Sequence, residues 1–257
     1  MKKLQKQIEA MIKSSNADME IVKSINSGVS VYPFSAESRL LTYLLEIKAI
    51  SYDELLKTQD EYIKRNKYLY TYELTSKSFG DWGEKQVIAA APEFIKATKK
   101  NMKKIKQDFD GEYDLYVDGI KVEVKANRAA EDKKKTSLSS RAYLHSEAKK
   151  CGFKYHFEQV KPMCCDVFIF IGVCRDKIQY WVLSSEELVK TNKISSQHRT
   201  ENTGNKNLEV YEGQVFMTED KLKPFLVDEK NILKMVRRKA KQQKKIGGYF
   251  YGLHDWK

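Results

Sequence analysis

At 257 residues, 41% of them hydrophobic and 11% aromatic, the chain is long enough to bury a core and too apolar to stay disordered. Its 47 Lys+Arg against 35 Asp+Glu leave a net charge of +12, which suits a polyanionic partner such as nucleic acid or an anionic membrane surface. The longest apolar run, 167–173 (VFIFIGV), falls short of the roughly 20 residues that span a bilayer, and MKKLQKQIEAMIK at the start has no signal-peptide core, so the expectation is a cytoplasmic protein without a membrane partner. In chain order, residues 1–75 read as a helical lobe. Ser35 is placed to cap AESRLLTYLLEIKAI, and Ser51 with Glu54 makes a capping box ahead of ELLKTQDEYIKRNKYLY. DWGEKQVIAAA (81–91) starts another helix, with Pro92 at its end or at a kink. The period then changes from helical to alternating, with strand signals at 112–117, 120–126, 166–174 and 178–183. Ser184 and Glu187 form a second capping box, for SSEELVK. Residues 190–213 are polar and read as loop, and 228–246 as a basic helix. The order implies a mixed α/β (α+β) chain: the lobe 1–75, a core over 76–190, and a C-terminal segment 191–257 packed on that core.

Cysteines 151, 164, 165 and 174 show no CxxC pair, and three lie in or beside the apolar strand, so they read as small apolar fillers kept reduced. His145, His156 and His254 have no partner at metal-ligand spacing and read as packing or surface residues.

The informative stretch is DLYVDGIKVEVK, 114–125. Asp118-Gly119 is a strong signal for a two-residue type I′ turn between β-rich flanks. Such a turn sets 117 opposite 120, 115 opposite 122 and 114 opposite 123, so Asp114 and Glu123 face each other with Cβ atoms about 5 Å apart. Lys125 shares their face because side chains alternate along a strand. Two carboxylates opposed in this way repel, and a cation between them removes the cost. Mg²⁺ suits the place, since it is held by one or two carboxylates plus waters and phosphate oxygens. Acid-x-Lys triplets begin at 46, 123, 131, 132, 147, 219, 228 and 255, so the triplet alone carries little. Only the copy at 123 follows a turn signal with a second acid in register. The bland alternative is an exposed hairpin face on which Lys125 neutralises Glu123.

FDGEYDLYVDGIKVEVKANRA resembles the core motif of the PD-(D/E)XK nuclease superfamily, an acid on one strand followed by acid-x-Lys on the next. Asp114, Glu123 and Lys125 match its three positions, and Tyr113 stands where proline is commonly written. The family places a glutamate on the helix before the hairpin, and Glu84 in GDWGEKQV fits; the other reading of Glu84 is the N3 partner of an N-cap at Asp81. FEQVKPMCCDVFIFIGVC is similar to a stretch of type II restriction endonucleases, with Gln159 and Lys161 matching its polar segment. The resemblance implies a restriction-endonuclease-like core, a mixed β-sheet flanked by helices. It further implies a prokaryotic Mg²⁺-dependent endonuclease, with Mn²⁺ able to substitute, cutting double-stranded DNA as a homodimer or as a monomer.

DNA would need further contacts. Arg128, Lys133 and Arg141 follow the hairpin and are candidates for the flanking phosphates. SSQHRTENTGNKN crowds Gln197, His198, Arg199, Asn202 and Asn205 into one polar stretch, residue types that read guanine and adenine edges in the major groove. Two other readings stay open: a structure-selective repair or recombination nuclease of the same fold, and a non-catalytic DNA-binding protein.

Overall fold

The structure is a computed structural model, and it describes residues 2–28, 36–109, 111–132, 136–162, 164–191, 194–196 and 213–245. The chain divides into two compact units, Met1–Tyr70 and Thr71–Lys257.

The first unit holds helices α1 (Lys2–Lys13), α2 (Met19–Ser27), α3 (Ala36–Glu46) and α4 (Tyr52–Asn66). Each is apolar on one side, and Leu4, Ile8, Val22, Leu40, Leu41, Leu44, Ile50 and Leu55 make a shared core. Asp18 caps α2 by accepting from the Glu20 N–H at 2.8 Å. Ser51 and Glu54 cap α4 reciprocally, at 3.2 and 2.8 Å. Ser35 lies outside the described residues.

The second unit runs α5 (Ser76–Ala90), β1 (Ile95–Lys96), α6 (Lys99–Lys104), β2 (Leu115–Val117), β3 (Ile120–Arg128), α7 (His145–Lys150), β4 (Lys154–Val160), β5 (Val167–Val173), β6 (Ile178–Ser184), α8 (Ser185–Thr191), β7 (Ser195–Ser196), β8 (Gly213–Thr218), α9 (Glu219–Leu222), β9 (Leu226–Val227) and α10 (Ile232–Lys245). Six strands form one mixed sheet in the order β1-β2-β3-β5-β6-β9. Its β3–β5 pair is parallel and the others antiparallel. This is the mixed α/β class expected from the order of sequence signals.

A second sheet, β4-β8-β7, is antiparallel throughout. The sequence signals do not mark it: β4 carries no clear strand pattern, Ser195–Ser196 and Gly213 pair as strand within the stretch 190–213 expected to be loop, and 214–218 has no distinct signal. It packs on one face of the large sheet: Tyr155, Phe157 and Val160 of β4 and Val215 and Met217 of β8 bury Phe168, Phe170, Trp181 and Leu183. The Phe157 and Phe170 rings stack at 4.1 Å. Helix α5 covers the opposite face, where Gly83 sits over Val124, Ala126 and Ile171. Helix α10 lies along β6 with Ile232, Val236 and Ala240 buried. Covered on both sides, β5 is buried at every position, which is why it reads as an unbroken apolar run.

One boundary differs from the sequence reading. Helix α5 begins at Ser76, capped by Thr75, whose Oγ1 accepts from the Ser78 N–H at 3.2 Å. Asp81 is therefore no N-cap and Glu84 is mid-helix, so the capping role for Glu84 is set aside. Gly80 and Gly83 lower helix propensity, so the sequence signal begins at 81 although the helix begins at Ser76. Packing overrides that, since a Cβ at Gly83 would already sit 3.3 Å from the Ala126 Cβ.

Among the described residues no helix is long and apolar enough to cross a membrane. Cys165 and Cys174 are buried, and burial pushes the Cys174 thiol up to about 12, so both sit in the core as protonated, compact apolar groups.

Candidate active site

The β2–β3 turn has Asp118 at φ +49° and Gly119 at φ +82°, the two positive values a type I′ turn requires. Register follows from it: Leu115 pairs with Val122, Tyr116 with Lys121 and Val117 with Ile120. Asp114 lies one residue before the ladder, and its N–H donates to Val122 O at 3.1 Å. Its carboxylate is itself fixed, because Oδ2 accepts the Val124 N–H at 2.9 Å.

Glu123 is 5% exposed, and its Oε1 lies 2.6 Å from Lys125 Nζ. Burial pushes its carboxyl up to about 7; the Lys125 charge pulls it down and the Asp114 charge pushes it up. The exposed hairpin face that the bland alternative required is absent, while the neutralising contact from Lys125 is present.

Glu84 comes from the other side, on α5. Its carboxyl is raised by burial and by the Asp114 charge, while Lys96 opposes both. Lys96 Nζ stands 2.8 Å from Glu84 Oε2 and 3.2 Å from Asp81 Oδ1. Glu84, Asp114 and Lys125 line one cleft of about 470 Å³, whose far wall is His156, Phe157, Glu158 and Gln159 of β4. Glu123 does not line it; its carboxylate communicates with the cleft through Lys125.

Among the described residues no three His, Cys, Asp or Glu side chains are grouped closely enough to hold a metal ion by themselves. Asp114 and Glu84, carboxylates that line the cleft, are donors of the type a hard divalent ion takes, one or two at a time, completing its shell with water and phosphate oxygens. The Asp114 charge adds to burial in raising the Glu123 carboxyl, a repulsion that a cation between them would relieve.

The other expected residues are distributed unevenly. Arg128 lines the cleft, but its Nη1 donates to Thr71 O at 2.8 Å and Leu74 O at 2.9 Å, and its guanidinium lies 4.3 Å over the Phe79 ring. Arg141 donates to Glu131 O at 2.7 Å, and Lys161 pairs with Glu112 at 2.5 Å. All three have partners within the chain. Gln159 sits at a β-bulge between Phe157 and Val160, with φ +53°, and the bulge turns it into the cleft. Lys133, Gln197, His198, Arg199, Asn202 and Asn205 lie outside the described residues. Ser196 and Gly213, which flank the last five, are paired with each other, and Gly213 also pairs with Val160 beside that bulge.

Two sets of residues escaped the sequence reading. Lys96 reaches Glu84 from β1, a strand of only two residues. Lys99, Lys100, Lys103 and Lys104 on α6 are exposed and pair with no acid among the described residues. Their spacing along KKNMKK was the available signal. They stand close to the hairpin, because the Ala97 N–H donates to Asp114 O at 2.8 Å.

No protein-family model matches the chain, and no curated protein matches it.

Proposed function

We propose that the chain is a Mg²⁺-dependent endonuclease of the PD-(D/E)XK kind, most specifically a type II restriction enzyme that hydrolyses double-stranded DNA to 5′-phosphate and 3′-hydroxyl ends. One observation supports the reading: after a tight reversal at Asp118-Gly119, Asp114, held by the Val124 N–H, and Lys125, paired with Glu123, line the same open cleft. Mn²⁺ is expected to replace Mg²⁺.

Asp114 and Glu123 would hold the cation, Glu123 on turning from Lys125 towards the cleft, with Glu84 supporting them from α5. Bound there, a divalent ion supplies Lewis-acid polarisation of a phosphate oxygen and neutralises charge. The chain's own residues do the rest. Asp114 keeps one orientation because the Val124 N–H holds its Oδ2. Glu123 ionises as pH rises past about 7, and Lys125 offsets its charge meanwhile. The Lys125 ammonium, in the cleft wall, meets charge developing on the scissile phosphate and donates to the attacking water, positioning it. Gln159 and the α6 lysines supply contacts to the strand.

A plasmid of known sequence incubated with the protein and Mg²⁺, with and without chelator, tests this. Discrete fragments that vanish with chelator support restriction; cleavage confined to branched DNA would make the protein a junction nuclease instead. Asp114→Ala and Lys125→Ala are each expected to lower cleavage by about 10²-fold or more while DNA binding in chelator survives. Undiminished cleavage in both variants refutes the reading.

A further inference from the structure

The far wall of the cleft carries a feature that phosphate hydrolysis does not use. His156 on β4 and Phe216 on β8 are direct cross-strand partners, and their rings stack at 4.1 Å with an interplanar angle of 10°. His156 lines the cleft with Asp114 and Lys125. Its ring is fixed in plane from both edges: Nε2 lies 2.6 Å from Gln214 Oε1, and Nδ1 lies 3.4 Å from Glu158 Oε1. Phe216, by contrast, is 50% exposed. Among the described residues of the second unit, it and Leu226 are the large apolar side chains left half open to water. Phe216 does not itself line the cleft but stacks on His156, which does, and a ring half in water there suits a ligand that is itself a flat π-system.

We propose that His156 and Phe216 form a stacking platform for an unpaired nucleobase. The strand entering the cleft then presents at least one base outside the double-helical stack, flipped or single-stranded, next to the phosphate that is cut. This inference rests on the nuclease reading and narrows its substrate. A rigid aromatic pair suits the task, because every base has a π-face and stacking is sequence-tolerant. Glu158 and Gln159 stand on the cleft side of the platform, where carboxylate and amide groups meet base edges. The sheet supports it from beneath, since Phe157 and Val215, adjacent to the two rings in sequence, face the other way into the core.

The test uses the full chain in chelator, so that nothing is cut. Two oligonucleotides of one sequence carry 2-aminopurine, opposite a partner base in one and unpaired in the other. The wild-type protein is expected to quench the unpaired probe and to bind that oligonucleotide more tightly. Phe216→Ala is expected to abolish the quench and weaken binding of the unpaired form by about 5- to 150-fold, leaving the paired form nearly unchanged. Phe216→Trp restores both, which separates stacking from a loss of sheet structure. Equal affinity for the two forms, or a Phe216→Ala variant that still quenches, overturns the platform. The nuclease reading fails on a different readout, Mg²⁺-dependent cleavage that is absent or indifferent to Asp114→Ala, so the two failures are distinguishable.

Discussion

At Glu123 a carboxylate 5% exposed shares its burial with an ammonium 2.6 Å away, and burial outweighs the attraction. Its carboxyl stands near 7 in the fold against an ordinary value of 4.5. Between those values the folded protein holds a proton that the unfolded chain releases. Stability therefore falls as pH rises from 4.5 to about 7 and is flat above. Glu123→Gln removes the buried charge. It is expected to be more stable than the wild type at pH 8, by up to about 3 kcal/mol, with the gap closing towards pH 4.5. Denaturant unfolding at the two pH values measures this, and a gap independent of pH argues against burial as the cause. The same substitution is expected to abolish cleavage, so this residue sets stability against function. Glu123 was visible in the sequence as half of an acid pair. Its burial was not, since exposure depends on what packs above the strand, here Lys125 and the β4 sheet.

At the scale of elements, the hairpin was legible because two residues decide it. An Asp-Gly turn with both φ values positive permits one register, and register decides which side chains meet. The second sheet was harder to see. Tyr155 and Phe157 alternate as a strand should, but the bulge before Val160 breaks the period and the polar outer face resembles a loop. Where the two sheets meet, packing is tight around Gly172. A Cβ there would fall 2.5 Å from Trp181 and 2.8 Å from Tyr155, both core rings. Gly172→Ala is expected to cost about 1–3 kcal/mol, read as a lowered melting temperature. An unchanged melting temperature would mean that the two sheets separate easily. That outcome bears on the cleft directly, because β4 is its far wall.

Across the whole molecule, the net charge of +12 pointed to a polyanion without saying where it lies. Arg128, Arg141 and Lys161 each contact other groups of the chain, while the α6 lysines are exposed near the hairpin. Combining Lys100→Gln, Lys103→Gln and Lys104→Gln is expected to weaken DNA binding evenly across sequences. The slope of log affinity against log salt should become shallower by about 2–3, because each lost phosphate contact removes roughly 0.9. An unchanged slope takes α6 out of the interface. What the sequence by itself determined is local: a turn that admits one register, an alternating strand, capping boxes at Ser51 and Ser184, and an apolar run covered on both faces. Turn chemistry and side-chain period act between neighbours, so they are written in neighbouring letters. Only the tertiary structure decided that Glu84 joins Asp114 from α5, that Lys96 joins Glu84, that Glu123 is buried, and that three arginine and lysine side chains have partners within the chain. Those outcomes depend on which distant surfaces come together and exclude water, and desolvation belongs to the packed assembly rather than to any stretch of residues.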